Sequence, residues 1–174
     1  KAGNPHLWLD VTHAMAYVAV IRTTLSEIDP AGGPIYDANA ARYLATLRDL
    51  DTAVAAQMAS IPAEGRKLVT FHDAWPYFTA RYGLVNLPVL QSNPEGEPSA
   101  AEYAELVTLI RRERPKAIFG EAGFNPKLVE QLARDTGVTF VDGLHGDTLT
   151  EGGLASTYVG MMQHDISLLV DSLR

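Results

Sequence analysis

The sequence contains no cysteine. Disulfide staples, thiolate metal sites and thiol nucleophiles are therefore excluded, although this absence does not by itself assign a redox compartment. Apolar runs long enough to span a bilayer are missing, and no stretch has the pattern of a signal peptide. Blocks of like charge are missing too, so nothing reads as a charged tail. Positive charge is in deficit: 14 Lys and Arg stand against 21 Asp and Glu, a formal net charge of −7. That balance argues against a nucleic-acid partner and suits the attraction of cations as a bulk tendency. Neither phosphate-cradling signature, Gly-x-x-x-x-Gly-Lys-Ser/Thr or Gly-x-Gly-x-x-Gly after a strand, occurs, and there is no Gly-x-Ser-x-Gly nucleophile elbow. Internal repeats and low-complexity segments are absent as well.

What remains is ordinary globular material: 174 residues, 47% hydrophobic and 20% charged. That supports one good core, or one lobe of a two-lobe protein. The chain opens at Lys1-Ala2-Gly3-Asn4-Pro5 without a methionine and reads as a processed protein or an excised piece. An extended lead-in, Asn4–Leu9, precedes a helix capped by Asp10 and broken at Asp29-Pro30-Ala31-Gly32-Gly33. Met15, Val18, Ala19, Ile21, Leu25 and Ile28 make that helix apolar on more than one side, the pattern of a helix that is buried or lies between two bodies. A second helix over 35–60 carries the stripe Tyr36, Ala40, Tyr43, Leu47, Leu50, Val54, Met58 and Ile61.

From Arg66 the pattern turns to alternating strands and helices. Strands are expected over 67–71, 85–90, 117–120 and 138–141, with a loop at 91–98. Helices are expected over 74–82, closed by Gly83, and from the Ser99/Glu102 capping box to Arg114. Two more run from Asn125-Pro126 to Asp135 and from Ser156 to Leu173. The fold class is α/β: about four mainly parallel strands with helices on both faces, preceded by the two long helices. Expected boundaries are a lead-in and linking helix over 1–33 and an α/β lobe over 34–174.

Carboxyl ends of parallel strands are where open α/β sheets place ligands. Here those ends carry His72 and Asp73, then Glu121, then Asp142 with His145 and Asp147 in the following loop, while His6 lies in the lead-in. Imidazole and carboxylate donors without thiolate suit a divalent ion such as zinc or manganese. A lone histidine more often sits as a satisfied core or surface residue, and His13 and His164, inside helices, are read that way. Glu121 and Asp147 have the plainer readings of cap and turn residues. Trp8, Trp75 and Tyr77 are read as core.

Asn4-Pro5-His6-Leu7-Trp8-Leu9-Asp10 resembles the NPHxWLDP segment of the zinc/manganese solute-binding proteins of bacterial ABC transporters. Residues 70–78 with Arg81-Tyr82-Gly83-Leu84 resemble that family's HDAFGYFARRYGL. Glu97-Pro98-Ser99, residues 117–121, Asp147-Thr148-Leu149 and residues 158–162 resemble further family segments, in the family's order. Departures are Val11 in place of a proline, and His145 two residues before Asp147, where it could compete as a ligand or tilt the loop.

The resemblance implies two α/β lobes joined by one long helix, with the ion held between them by four side chains. Three of these match His6, His72 and Asp147; the first would come from an N-terminal lobe that the chain lacks. It implies a non-enzymatic receptor, periplasmic or extracellular and in some members lipid-anchored, that delivers zinc or manganese to a membrane permease. Glu121 or Asp73 would orient a ligating imidazole. Two rival readings are a metal-dependent hydrolase at the same site and an adhesin-like interaction module. Uncovered apolar surface on the first helix leads to the expectation of a homodimer.

Overall fold

The computed structural model describes residues 3–87 and 98–174. The far part of the expected strand 85–90, the loop over 91–97 and Glu97 of the Glu97-Pro98-Ser99 match lie outside the described residues. A single 3-10 turn, Leu7–Leu9, leads into helix α1, Val11–Ile28, where Asp10 accepts from the Thr12 amide at 2.8 Å. The Asp-Pro break becomes a second 3-10 turn, Pro30–Gly32, stapled by Asp29, which accepts from Gly32 N–H and from the Tyr36 hydroxyl. Helix α2, Gly33–Ala59, then runs back along α1.

The α/β part follows as β1 (Lys67–Leu68), α3 (Pro76–Tyr82), β2 (Val85–Asn86), α4 (Ala100–Glu113), β3 (Ala117–Glu121), α5 (Lys127–Thr136), β4 (Thr139–Leu144) and α6 (Tyr158–Leu173). Pairs β1–β2 and β3–β4 are both parallel. The Phe119 amide donates to Val69 O at 2.9 Å, which sets the two pairs side by side. The strand expected over 67–71 is regular only at Lys67–Leu68, with Val69 joined to β3 by a single amide–carbonyl bond. The expected helix 74–82 starts two residues late, at Pro76, and Gly83 ends it at φ +75°. The Ser99/Glu102 capping box forms as expected. The last strand runs longer than expected, to Leu144. The last helix begins at Tyr158 behind a Thr157 cap, not at Ser156.

Side chains of successive strand residues point to opposite faces, and β3 shows it. Ala117 and Phe119 enter a core with Leu47, Val54, Trp75, Phe78, Ile166 and Leu169. Ile118 enters a second core with Val69, Ile110, Val129 and Leu132. Helices α2, α3 and α6 thus cover one face of the sheet, and α4 and α5 the other. Helix α1 departs from the simplest reading of its all-round apolarity. Only Val11 and Ala14 are buried, and Val20, Ile21 and Ile28 are 57–77% exposed. None of the described helices is long and apolar enough to cross a membrane.

The contrast sets a stability prediction. Phe78→Ala empties a fully buried site between α2 and the sheet and should cost about 3–5 kcal/mol. Ile28→Ala, at the exposed end of α1, should stay within about 0.5 kcal/mol. Urea denaturation midpoints at equal m-value check both.

Candidate metal centre

Three separate segments meet above the carboxyl end of the sheet. His72 follows β1, its backbone pinned by the buried Thr70 hydroxyl, which donates to His72 O at 3.0 Å, and by Ala74 N–H to the same oxygen at 2.9 Å. Asp147 lies in the loop after β4. That loop is fastened from below by α6: His145 N–H donates to Asp165 Oδ1 at 2.9 Å, and His164 Nε2 lies 3.0 Å from Gly143 O. It is fastened from the side by Trp8, whose indole N–H donates to Gly146 O at 2.9 Å. Gly146 fits closely there: a Cβ would sit 3.1 Å from Glu121 Oε2, tight enough to press on that carboxylate. His6 comes from the lead-in, anchored by the fully buried Leu9 and Val11 and by the Tyr158 hydroxyl, which donates to Trp8 O at 2.8 Å.

The three side chains expected to bind metal converge. His6 Nε2 and His72 Nε2 are 3.2 Å apart. Asp147 Oδ2 is 3.0 Å from His72 Nε2, and its Oδ1 is 3.4 Å from His6 Nε2. Among the described residues this is the one trio of His or acidic side chains able to share an ion. Donors on a tetrahedral zinc at ordinary bond lengths stand roughly 3.3 Å apart, so these spacings match one face of such a shell.

The opposite ring nitrogens are spoken for. His72 Nδ1 lies 2.7 Å from Glu121 Oε2, at an angle off the ideal hydrogen-bond line, while Glu121 Oε1 accepts the His72 amide at 3.1 Å. His6 Nδ1 lies 2.8 Å from Asn4 Oδ1. An oxygen acceptor beside each Nδ1 favours the Nδ1–H tautomer of a neutral ring, in which both Nε2 lone pairs face Asp147. Three acceptors facing each other at about 3 Å repel unless a proton or a cation lies among them.

Burial alone pushes the His72 imidazole down, but Glu121 and then Asp147 outweigh it and hold it above the ordinary histidine value. Burial pushes His6 down, the charge of His72 adding to it, and Asp147 compensates only in part. Of the two carboxylates expected to orient a ligand, Glu121 does so. Asp73 instead accepts from the side-chain amides of Asn4 and Asn86. His145 is not drawn into the trio: its Nδ1 lies 3.3 Å from Thr148 Oγ1 and its ring meets His164 edge-on. His13 sits 3.6 Å from Asp10, away from the site. Sequence reasoning missed Asn4 and Asp165 as supports and took Trp8 for core alone. The adjacency of Asn4 and Trp8 to His6 was the available signal.

The family described as ZnuA, zinc-uptake complex component A, periplasmic, matches residues 1–172. The manganese-binding lipoprotein MntA of Halalkalibacterium halodurans is 34% identical over 171 residues, 98% of this chain and 57% of that protein. The high-affinity zinc uptake system protein ZnuA of Bacillus subtilis is 30% identical over 174 residues, 99% of this chain and 54% of that protein. The chain therefore spans about half the length of the curated relatives it matches. Among solved structures, the periplasmic zinc-binding protein TroA of Treponema pallidum superposes with a TM-score of 0.90 at 32% identity, covering 98% of this chain and 64% of that one.

Asp165 supplies a test of the loop's anchoring. It is fully buried, its Oδ2 has no hydrogen-bond partner among the described residues, and burial pushes its carboxyl up to about 8. The folded chain then keeps a proton that the unfolded chain loses at about pH 4, so stability should fall as pH rises from about 4 to about 8. Asp165→Asn cannot lose that proton and should flatten this slope, being the more stable of the two at the alkaline end. Denaturant midpoints measured across the window decide it; parallel curves for both proteins would contradict the burial argument.

Proposed function

The chain belongs to the periplasmic zinc-uptake component A family, and on that premise we propose that it holds a zinc or manganese ion on His6, His72 and Asp147 as the cargo of an ABC uptake transporter. The observation that carries the reading is the convergence of the three side chains within reach of one ion, with Asn4 behind the His6 ring and Glu121 behind the His72 ring. Such a set is stable around a cation. Two imidazoles with one carboxylate lean toward zinc, since softer nitrogen donors favour it over the oxygen-rich shells that suit manganese. The ion would pass to a membrane permease. Relatives named as lipoproteins and periplasmic proteins support a place outside the cytoplasmic membrane.

In this reading residues 1–33 are lead-in and connecting helix, and 34–174 form the C-terminal lobe of a two-lobe receptor. A facing lobe would complete the shell and cover the exposed apolar residues Val20, Ile21, Leu25, Ile28 and Ile35. Two copies of the chain on its own would pair through that same strip. A hydrolytic role lacks its base: Glu121 spends both oxygens on His72, and Asp73 is turned to Asn4 and Asn86. An adhesive role gains nothing from the comparisons.

Two measurements test the proposal. By isothermal titration the chain should bind one zinc, and His72→Ala or Asp147→Ala should weaken it by about 100-fold or more, beyond what loss of a supporting residue costs. Unchanged affinity in His72→Ala would remove the assignment. Binding must also displace the proton that Glu121 helps His72 retain. Zinc affinity should therefore fall steeply from about pH 8 to about pH 5.5, with proton release seen as a buffer-dependent heat.

A further inference from the structure

We infer that Asn4 is a positioning residue: it fixes the tautomer of His6 and ties the lead-in to the turn that carries His72. The inference rests on the metal-binding reading above. One side-chain amide does both jobs. Its Oδ1 accepts the His6 backbone N–H at 3.1 Å and faces His6 Nδ1 at 2.8 Å, so the ring proton is held away from the site. Its Nδ2 donates across 69 residues of sequence to Asp73 O at 2.6 Å and reaches Asp73 Oδ2 at 3.3 Å. The Tyr77 hydroxyl closes the arrangement by donating to Asn4 O at 3.0 Å.

The chemistry requires such a group. A free neutral imidazole prefers its proton on Nε2, the nitrogen that must be bare to bind an ion. A buried carboxylate beside His72 Nδ1 favours the opposite tautomer of that ring, and among the described residues the group facing His6 Nδ1 is the Asn4 amide oxygen, not a carboxylate. Asn4 supplies that acceptor as a neutral amide. A neutral partner fixes the proton without adding the basicity that Glu121 gives His72, so the two rings differ in donor strength by design of their partners. His6 is also the ring carried on a segment outside the sheet, where a side-chain tether replaces strand pairing.

The test begins with the metal-free protein. Two-bond 15N–1H correlation spectra should show His6 with its proton on Nδ1. In Asn4→Ala it should move toward Nε2, with the His72 pattern unchanged as an internal control that the lobe is folded. Asn4→Asp keeps an acceptor oxygen and should restore the Nδ1–H form. Zinc affinity should drop about tenfold in Asn4→Ala, the loss expected for a group that orients a ligand. His6 remaining Nδ1-protonated in Asn4→Ala overturns the inference. So does full zinc affinity in Asn4→Ala when His72→Ala abolishes binding. Zinc binding unchanged by His72→Ala would instead defeat the metal reading, and the tautomer result would still decide the role of Asn4.

Discussion

Two imidazole lone pairs and a carboxylate are held within about 3 Å of one another, and the rest of the structure is arranged around keeping them there. With both rings neutral such a cluster gains nothing from its own members, which repel unless a proton or a cation lies among them. It exists because each ring is fastened from behind: His72 by Glu121 and His6 by Asn4. The fold supplies the force that the site lacks, through the two apolar cores that fix the sheet and its flanking helices.

The supports come from distant parts of the chain. Glu121 ends β3 and takes hold of His72 across 49 residues. Asp165 and His164, one turn of α6, secure the two ends of a short backbone segment before Asp147. Trp8 joins the lead-in to the same loop across 138 residues. Each ligand segment is therefore bonded to at least one other, and a displacement of one is felt by its neighbours. Because the sheet is parallel, its strand ends all deliver their loops to one edge, which brings these segments within reach.

Much of this was legible in the chain. Helix caps at Asp10 and Ser99/Glu102, the closure at Gly83 and the strand at 117–121 follow from contacts among near neighbours, and such contacts leave a local trace. The meeting of His6, His72 and Asp147 was foreshadowed by the strand ends that precede His72 and Asp147 and, for all three, by motifs shared with a known family. What escaped was long-range. The short extent of β1, the choice of Glu121 over Asp73, and the hold of Asp165 on the loop depend on which groups meet in space. The apolarity of α1 was plain, but the sequence could not say which of its sides the lobe itself would cover.

Exposure across the three metal-facing side chains is graded: 32% for Asp147, 11% for His6 and 4% for His72. The carboxylate is the member of the trio most open to solvent. His72 lies deepest of the three, its ring backed by Glu121. Any group entering the trio from solvent would therefore reach Asp147 before either ring, and the ring beside Glu121 last.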